Sequence, residues 1–353
     1  MVTKQSAERG GRTTIYDVAE RAGVSAKTVA RVINREKHVG KKTKEKVQAV
    51  LAEMNYQPNT VAKRLGLKDD RSFLIGLLYD NPSANYISRL LIGTLERCDD
   101  YGYRLAAESV TPERIDPEAT RKPDLIDRTD LDGIIVTAPI SDDMPLIERL
   151  ERAGHQIIRI APFKEPDRTP RVYFDDTEAA HQITSHLIGL GHTRIAHIEG
   201  LARHGTASAR LQGYVQAMEE AGLDTPHSFM LRGDYTFSSG MEHAKSLLSR
   251  DDRPTAIFAA NDEMAAGVMY AAQSFGLSIP EDLSVAGFDD IPLSRIIEPN
   301  ITTIRQPLEE MARAAAELVI TIQAGQVSAQ GAETKLDFAL LSRASTSVAP
   351  AKI

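Results

Sequence analysis

Between residues 15 and 54 apolar side chains recur with a helical period, whereas beyond residue 71 they gather into short runs separated by helical stretches. In IYDVAERA, Ile15, Val18, Ala19 and Ala22 share one face, and Thr14 just ahead suits an N-cap. Gly23 ends that helix, since a residue without Cβ accepts the left-handed exit. Ser25 then caps a second helix, AKTVARVIN, with Val29, Val32 and Ile33 inward and Ala26, Lys27, Thr28 and Arg31 outward. A third helix is predicted from about Lys41 to Met54, with Val47, Val50, Leu51 and Met54 on one face. Helix, glycine turn and capped helix form the layout of a helix-turn-helix, whose second helix enters the major groove; an ordinary helical hairpin is the plainer alternative.

From residue 71 onward FLIGLLYD, LDGIIVTAP, HQIIRIA, RIAHIEG, AIFAAND and LSVAGFDD read as buried strands that end in turn or polar residues. YISRLLIGTLERCDDYG, TEAAHQITSHLIGLG, ARLQGYVQAMEEAG and EMAAGVMYAAQSFG read as the helices between them. Such alternation predicts an α/β architecture of parallel sheets covered by helices, with ligands beyond the C-terminal ends of the strands.

Charge sharpens the division. Residues 1–71 carry 16 Lys and Arg against 8 Asp and Glu, and the remainder carries 26 against 41. A basic head on an acidic body suits a nucleic-acid reader joined to a separate domain, although a solvated basic surface would look the same. Lys41, Lys42, Lys44 and Lys46 crowd the start of the third helix, where the helix dipole disfavours cations unless phosphate compensates them. The single cysteine, Cys98, excludes an internal disulfide framework. With no apolar span of about 18 residues and no signal-like N-terminus, a cytoplasmic protein without membrane contact is expected.

TIYDVAERAGVSAKTVARVIN followed by TKEKVQAVLAEMNYQPNTVAKRL resembles the DNA-binding head and hinge of the LacI (lactose-repressor) family. The resemblance implies phosphate contacts at Tyr16, Ser25, Thr28, Asn34 and Thr43 and base reading at Ala26, Lys27 and Arg31, with Thr14 also among the DNA-binding residues. Arg31 could pair with a guanine through O6 and N7. Pro58 keeps Gln57 out of helical geometry, and Asn59 can cap a short helix over residues 60–65. By resemblance this hinge helix sits in the minor groove, with Ala62 allowing close approach and Leu65 as the wedge at a central base step; linker packing is the plainer role for Leu65.

HLIGLGHTRIAHIEG, SARLQGYVQAM, AIFAANDEMAAGVMYAA, GLSIPEDLSVAGFDD and ITTIRQP resemble, in order and spacing, the periplasmic-binding-protein-like effector core of the same family. The implied organisation is a helix-turn-helix domain over 1–57, a hinge helix and linker over 58–71, and a two-lobed core over 72–353. Its first lobe would hold about 72–173 and 303–335, its second about 174–302 and 336–353. The same resemblance implies effector contacts at Arg210, Tyr235, Asn261, Asp289 and Gln306, with Asn85, Tyr86, Thr137 and Asp175 as further candidates and Phe288 for stacking. Arg210 could instead form a salt bridge, and Asn261 and Asp289 could simply cap helices. Ala161 stands where many sugar-responsive relatives carry an acid, and Arg159 lies two residues before it, which leaves room for a larger or partly anionic effector.

No phosphate loop, dinucleotide glycine pattern or paired metal-binding histidines mark an enzyme, and no cofactor is expected. A stand-alone solute-binding protein would account for the body but not for the first seventy residues. The expectation is a repressor of carbohydrate-catabolism genes that binds a palindromic operator as a homodimer and answers to a sugar or glycoside. A purine-like co-repressor is the alternative effector. The C-terminus has no leucine heptad, so a tetramer is not expected.

Overall fold

The computed structural model describes residues 15–33, 39–54, 71–81, 83–111 and 123–351. It divides the chain into two compact units, Met1–Arg71 and Ser72–Ile353. Among the described residues no helix is long and apolar enough to cross a membrane.

The first unit holds α1 (Ile15–Ala22), α2 (Ala26–Ile33) and α3 (Lys41–Glu53). Val18, Ala19 and Ala22 of α1 meet Val29 and Val32 of α2 and Val47 and Val50 of α3 in one small core. Gly23 has φ +62°. Its N–H bonds the Glu20 carbonyl at 3.1 Å and that of Val24 the Ala19 carbonyl at 3.0 Å, which satisfies the free carbonyls of α1. Ser25 Oγ accepts from the Thr28 N–H at 3.1 Å and so caps α2 as its sequence position predicts. Thr14, Asn34, Asn59, Ala62 and Leu65 lie outside the described residues.

The second unit is built on two parallel sheets. Strands β1 (Leu74–Tyr79), β2 (Arg104–Ser109), β3 (Gly133–Val136), β4 (Ile157–Ile160) and β5 (Arg171–Tyr173) join β11 (Glu333–Lys335) in the order β11-β5-β4-β3-β1-β2. The second sheet orders β6 (Ile195–Glu199), β7 (Met230–Arg232), β8 (Ala256–Ala259) and β9 (Ser284–Ala286) as β7-β6-β8-β9. Strands β3, β4, β8 and β9 are buried along their whole length, which is why they read as unbroken apolar runs. Edge strand β2 is half-exposed, and its RLAAES lacks such a run. A short antiparallel pair, β10 (Thr303–Arg305) with β12 (Ala339–Leu341), marks where the chain passes towards the first sheet and back.

Helices α4 (Ala84–Tyr101) and α11 (Leu308–Gln323) pair on the first sheet. On the second unit's other sheet the pairs are α6 (Asp176–Gly189) with α7 (Gly205–Glu220), and α8 (Phe237–Leu248) with α9 (Asp262–Ser274). Helix α5 (Met144–Arg152) follows β3, and α10 (Leu293–Ile296) follows β9. Each of the three pairs crosses through glycine. A Cβ would stand 2.2 Å from the Glu309 carbonyl oxygen at Gly93, 2.1 Å from that of Thr177 at Gly213, and 2.2 Å from that of Met264 at Gly240. Such contact distances leave no room for any side chain, so the backbones meet directly.

Candidate functional site

On the head, Lys27 and Arg31 are one helical turn apart and exposed on α2, while Ala26 and Thr28 are half-buried beside them. The hydroxyls of Ser25 and Thr28 lie 2.9 Å apart. Tyr16 stands in the first turn of α1, and Thr43 is half-buried in the first turn of α3 next to exposed Lys41, Lys42 and Lys44. Two cations on one face of a second helix can meet base edges, and helix-start N–H groups with lysines can meet phosphate.

In the second unit a central cavity is lined entirely from loops and helix starts that follow strands. After β1 come Asn81, Ser83 and Tyr86, and after β3 and β4 come Ala138 and Ala161. Asp176 opens α6, and His204, Thr206 and Arg210 open α7. Tyr235 and Asn261 precede the first turns of α8 and α9, Asp289 follows β9, and Gln306 follows β10.

Arg210 organises this cavity. Its Nε donates to Asp176 Oδ1 at 2.9 Å and its Nη1 to the Ala260 carbonyl at 2.6 Å. Asp289 Oδ1 lies 3.8 Å from Nη1 and accepts from Gln306 Nε2. The guanidinium lies over the Phe288 ring, 3.7 Å from its centroid, so it is fixed from behind as well as from the side. Burial pushes the Asp289 carboxyl up to about 7, with Arg210 and Gln306 opposing that shift. Asp176 is also raised by burial, against the pull of Arg210.

Aromatic groups complete the lining. Tyr235 lies 5.1 Å from His204, centroid to centroid. Gly200 makes this possible, because a Cβ there would fall 2.1 Å from the Tyr235 ring. Burial and the nearby charges of Arg203 and Arg210 hold His204 down to about 4, and its Nε2 has no hydrogen-bond partner among the described residues. Burial raises the Tyr86 hydroxyl, which stays neutral. Ala161, Tyr235 and Asp289 have φ of +49°, +69° and +113°. Three strained residues in one lining indicate a backbone held for something other than stability.

The structure brings Tyr86, Arg210, Tyr235, Asn261, Asp289 and Gln306 together around the cavity. Two plainer roles are present as well: Arg210 is salt-bridged to Asp176, and Asn261 Oδ1 caps α9 by accepting from the Met264 N–H at 2.9 Å. Asn85, Thr137 and Asp175 stand outside the lining. Asn85 is half-buried, with its carbonyl held by the Ser88 hydroxyl at 2.9 Å. Thr137 is fully buried and donates to the Leu78 carbonyl at 3.3 Å. Asp175 caps α6 and pairs with Lys335 Nζ at 3.0 Å, and its capping role turns the next residue, Asp176, into the cavity. Phe288 is buried under Arg210, so that face is not open for stacking. Arg159 is likewise fully buried, with its donors on the carbonyls of Ser141, Lys164 and Glu165 and on the Thr169 hydroxyl, and so offers nothing to an anionic ligand. Asn81, Ser83, Ala138, Asp176, His204 and Thr206 went unpredicted; their position just past a strand was the available signal.

Residues 14–59 match the family described as "Bacterial regulatory proteins, lacI family", and residues 184–346 match "Periplasmic binding protein-like domain". The HTH-type transcriptional regulator DegA of Bacillus subtilis is 37% identical over 303 residues, covering 85% of this chain and 88% of DegA. The chain belongs to the LacI family. Among solved structures, this LacI-family chain resembles the lac repressor dimer bound to operator and an anti-inducer, with TM-score 0.72, 29% identity, and coverage of 96% of this chain and 100% of that one. It also resembles the transcriptional regulator CelR in complex with cellobiose, with TM-score 0.70, 26% identity, and coverage of 95% and 100%. The LacI-family chain is therefore a DNA-binding transcription regulator with a helix-turn-helix head and a periplasmic-binding-protein-like core.

Proposed function

We propose that this regulator represses carbohydrate-catabolism genes, binding a palindromic operator as a homodimer, and that a neutral sugar or glycoside in the central cavity controls it. The observation that carries the effector class is the Arg210–Asp289–Gln306 arrangement, a buried guanidinium near the start of α7 and a facing carboxylate just after β9. Vicinal hydroxyls can donate to the carboxylate and accept from the guanidinium, and each such charge-assisted bond is roughly twice as strong as a neutral one. Relatives described with a sugar or an operator support the same reading by analogy. Ala26, Lys27 and Arg31 are the proposed base-reading positions, Ala26 by apolar contact alone, with Ser25, Thr28, Tyr16 and Thr43 on phosphates. The roles proposed for Thr14, Asn34, Asn59, Ala62 and Leu65 rest on sequence resemblance.

Selecting bound fragments from random DNA at two salt concentrations tests the operator. Enrichment of a palindrome with steeply salt-dependent affinity is expected, and release of that fragment by a sugar would establish the effector class. Release by purines and not by sugars would replace the sugar with the alternative ligand. A failure to enrich any sequence, with or without candidate effectors, would overturn the operator.

A further inference from the structure

The side chains of Asp289 and Gln306 point into the cavity only while their main chain is held, and the main chain at Asp289 is strained. Asp289 and Asp290 in succession have φ of +113° and +54°. Residues with a Cβ disfavour both values, so such a turn persists only where its surroundings over-determine it. Two groups hold it from its own half of the core. Asp262 on α9 accepts from the Ile291 N–H at 2.9 Å, and Arg295 on α10 pairs with the Asp290 carboxylate. The crossing strand β10 adds a third tie, since the Asp289 N–H bonds the Ile304 carbonyl at 2.8 Å.

The other half of the core supplies Arg89, on α4 of the first sheet. Its Nη1 donates to the Asp289 carbonyl at 3.0 Å and its Nη2 to the Gln306 carbonyl at 3.3 Å. Its Nε and Nη2 also meet both carboxylate oxygens of Glu309, in the first turn of α11, at 2.8 and 2.6 Å. One guanidinium is thus anchored on a helix start and holds the main chain of both residues. Their side chains bond each other, Gln306 Nε2 donating to Asp289 Oδ1. Gln306 borders the central cavity and also a groove that Arg89 lines, so Arg89 acts from the face away from the ligand groups.

An ion pair that merely joins α4 to α11 is the plainer role. It would occupy one edge of the guanidinium, and lysine would serve it as a point charge. Here the remaining donors fall on two carbonyls, and those two belong to the residues whose side chains form the polar pair of the cavity. The Arg89 and Glu309 side chains are only 17% and 25% exposed, which fixes the fork more tightly than a surface pair would be. Against burial, the bond from Arg89 holds the Glu309 carboxyl below its usual range, so the anchor stays charged.

We propose that Arg89 is a positioning residue of the effector site: from a helix of the first sheet it sets the main chain of Asp289 and Gln306, and so the direction of both side chains. This rests on the reading of Asp289 and Gln306 as effector groups. Arg89 touches no effector itself, since it lines the groove and not the cavity. A shift of α4 relative to the turn after β9 therefore moves both ligand groups at once. The test is Arg89→Lys in the full-length chain, which keeps a charge opposite Glu309 and loses the fork. Hydrogen exchange is expected to quicken about tenfold in peptides spanning 287–292 and 302–307 and to stay unchanged over 256–259, with the thermal midpoint within a few degrees. Glucose, galactose, ribose, xylose and cellobiose are then titrated by calorimetry into wild type and Arg89→Lys, each with and without Asp289→Asn. For a sugar that binds, Arg89→Lys should weaken affinity about fivefold alone and less than about twofold beside Asp289→Asn, because misplacing a group already lost changes little. Unchanged exchange in both peptides, or equal losses of affinity in the two backgrounds, overturns the positioning role and leaves the sugar reading standing. If no sugar of the panel binds, the sugar reading falls and the exchange rates alone decide on Arg89. Should Arg89→Lys not fold, Glu309→Gln, which removes the anchor and keeps the guanidinium, is expected to quicken the same two peptides, and no change there overturns the role.

Discussion

Asp289 combines three properties: it is buried, its φ is +113°, and its carboxyl is pushed up to about 7. A carboxylate accepts from ligand hydroxyls better than the protonated acid, so sugar affinity is expected to fall as pH drops from 8 to 6. Asp289→Asn should flatten that dependence and weaken binding about tenfold at pH 8, in line with about 1.5–3 kcal/mol for a charge-assisted bond. Calorimetry at the two pH values checks both. His197 is a different case. It is stacked between Tyr214 and Phe258, at 5.2 and 4.6 Å between centroids, and its Nδ1 bonds the Phe258 carbonyl at 2.9 Å. Burial holds it down to about 4, whereas an unfolded histidine titrates near 6.5. Its neutral form therefore contributes stability above pH 6.5 that is lost as pH falls towards 4, up to about 3 kcal/mol at 1.36 kcal/mol per unit. In denaturant titrations His197→Phe should lose less stability than the wild type between pH 6.5 and 4; identical losses would show that the titrating group lies elsewhere.

Elements show why small residues recur where these helices meet. Gly240 on α8 faces the Met264 backbone of α9, and Gly267 of α9 faces the Phe237 carbonyl, where a Cβ would stand 2.2 Å away. Gly240→Ala improves intrinsic helix propensity by about 1 kcal/mol, yet it forces the pair apart. Overpacking of this kind typically costs about 1–3 kcal/mol, and backbone cannot give way as a flexible side chain can. A net fall in thermal midpoint is expected, and an unchanged or raised midpoint would mean that the two helices slide easily. On the head, α2 presents Lys27 and Arg31 by one turn of spacing, while Val29 and Val32 lock the opposite face. Arg31→Ala is expected to relax selectivity at one base of each half-site, a difference of about 1–3 kcal/mol, and to leave the melting temperature of the head within a few degrees. Selection profiles of the two proteins, compared position by position, decide whether Arg31 reads a base.

At the scale of the core, two polar contacts among the described residues join the loops on the ligand side of the two sheets. Arg203 Nη1 meets Asp80 Oδ2 at 2.9 Å, and Ser83 Oγ donates to Glu263 Oε1 at 3.1 Å. Asp80 follows β1 and Arg203 follows β6, so this ion pair ties together the loops that bring Asn81 and His204 to the cavity. With Arg203 half exposed, the pair is worth at most about 1 kcal/mol. Asp80→Asn is accordingly expected to weaken effector binding by no more than about fivefold, by loosening the tie between the two loops and not by removing a ligand contact. Linkage makes the effect reciprocal: whatever factor the effector imposes on operator affinity, the operator imposes on effector affinity. Measuring both factors in Asp80→Asn and wild type separates a shifted equilibrium from a damaged site.

Local chemistry was legible in the chain itself. The Gly23 exit, the Ser25 cap, the helical stripe of the head and the buried strands follow from backbone sterics and side-chain periodicity, which act over a few residues. The order of motifs also determined the family, and with it the alternation that puts ligand groups after strands. Tertiary structure decided the rest. Asp176 and not Asp175 lines the cavity because one of two adjacent carboxylates was needed as a cap, a choice set by where α6 starts. Arg159 turns away from the ligand because loop carbonyls more than five residues distant need its donors. His204 and Gly200 join Tyr235 only when β6 and β7 pair. Strand-end position narrows the candidates, but which side chain faces inward depends on packing between segments far apart in sequence, and that information exists only once the chain has folded.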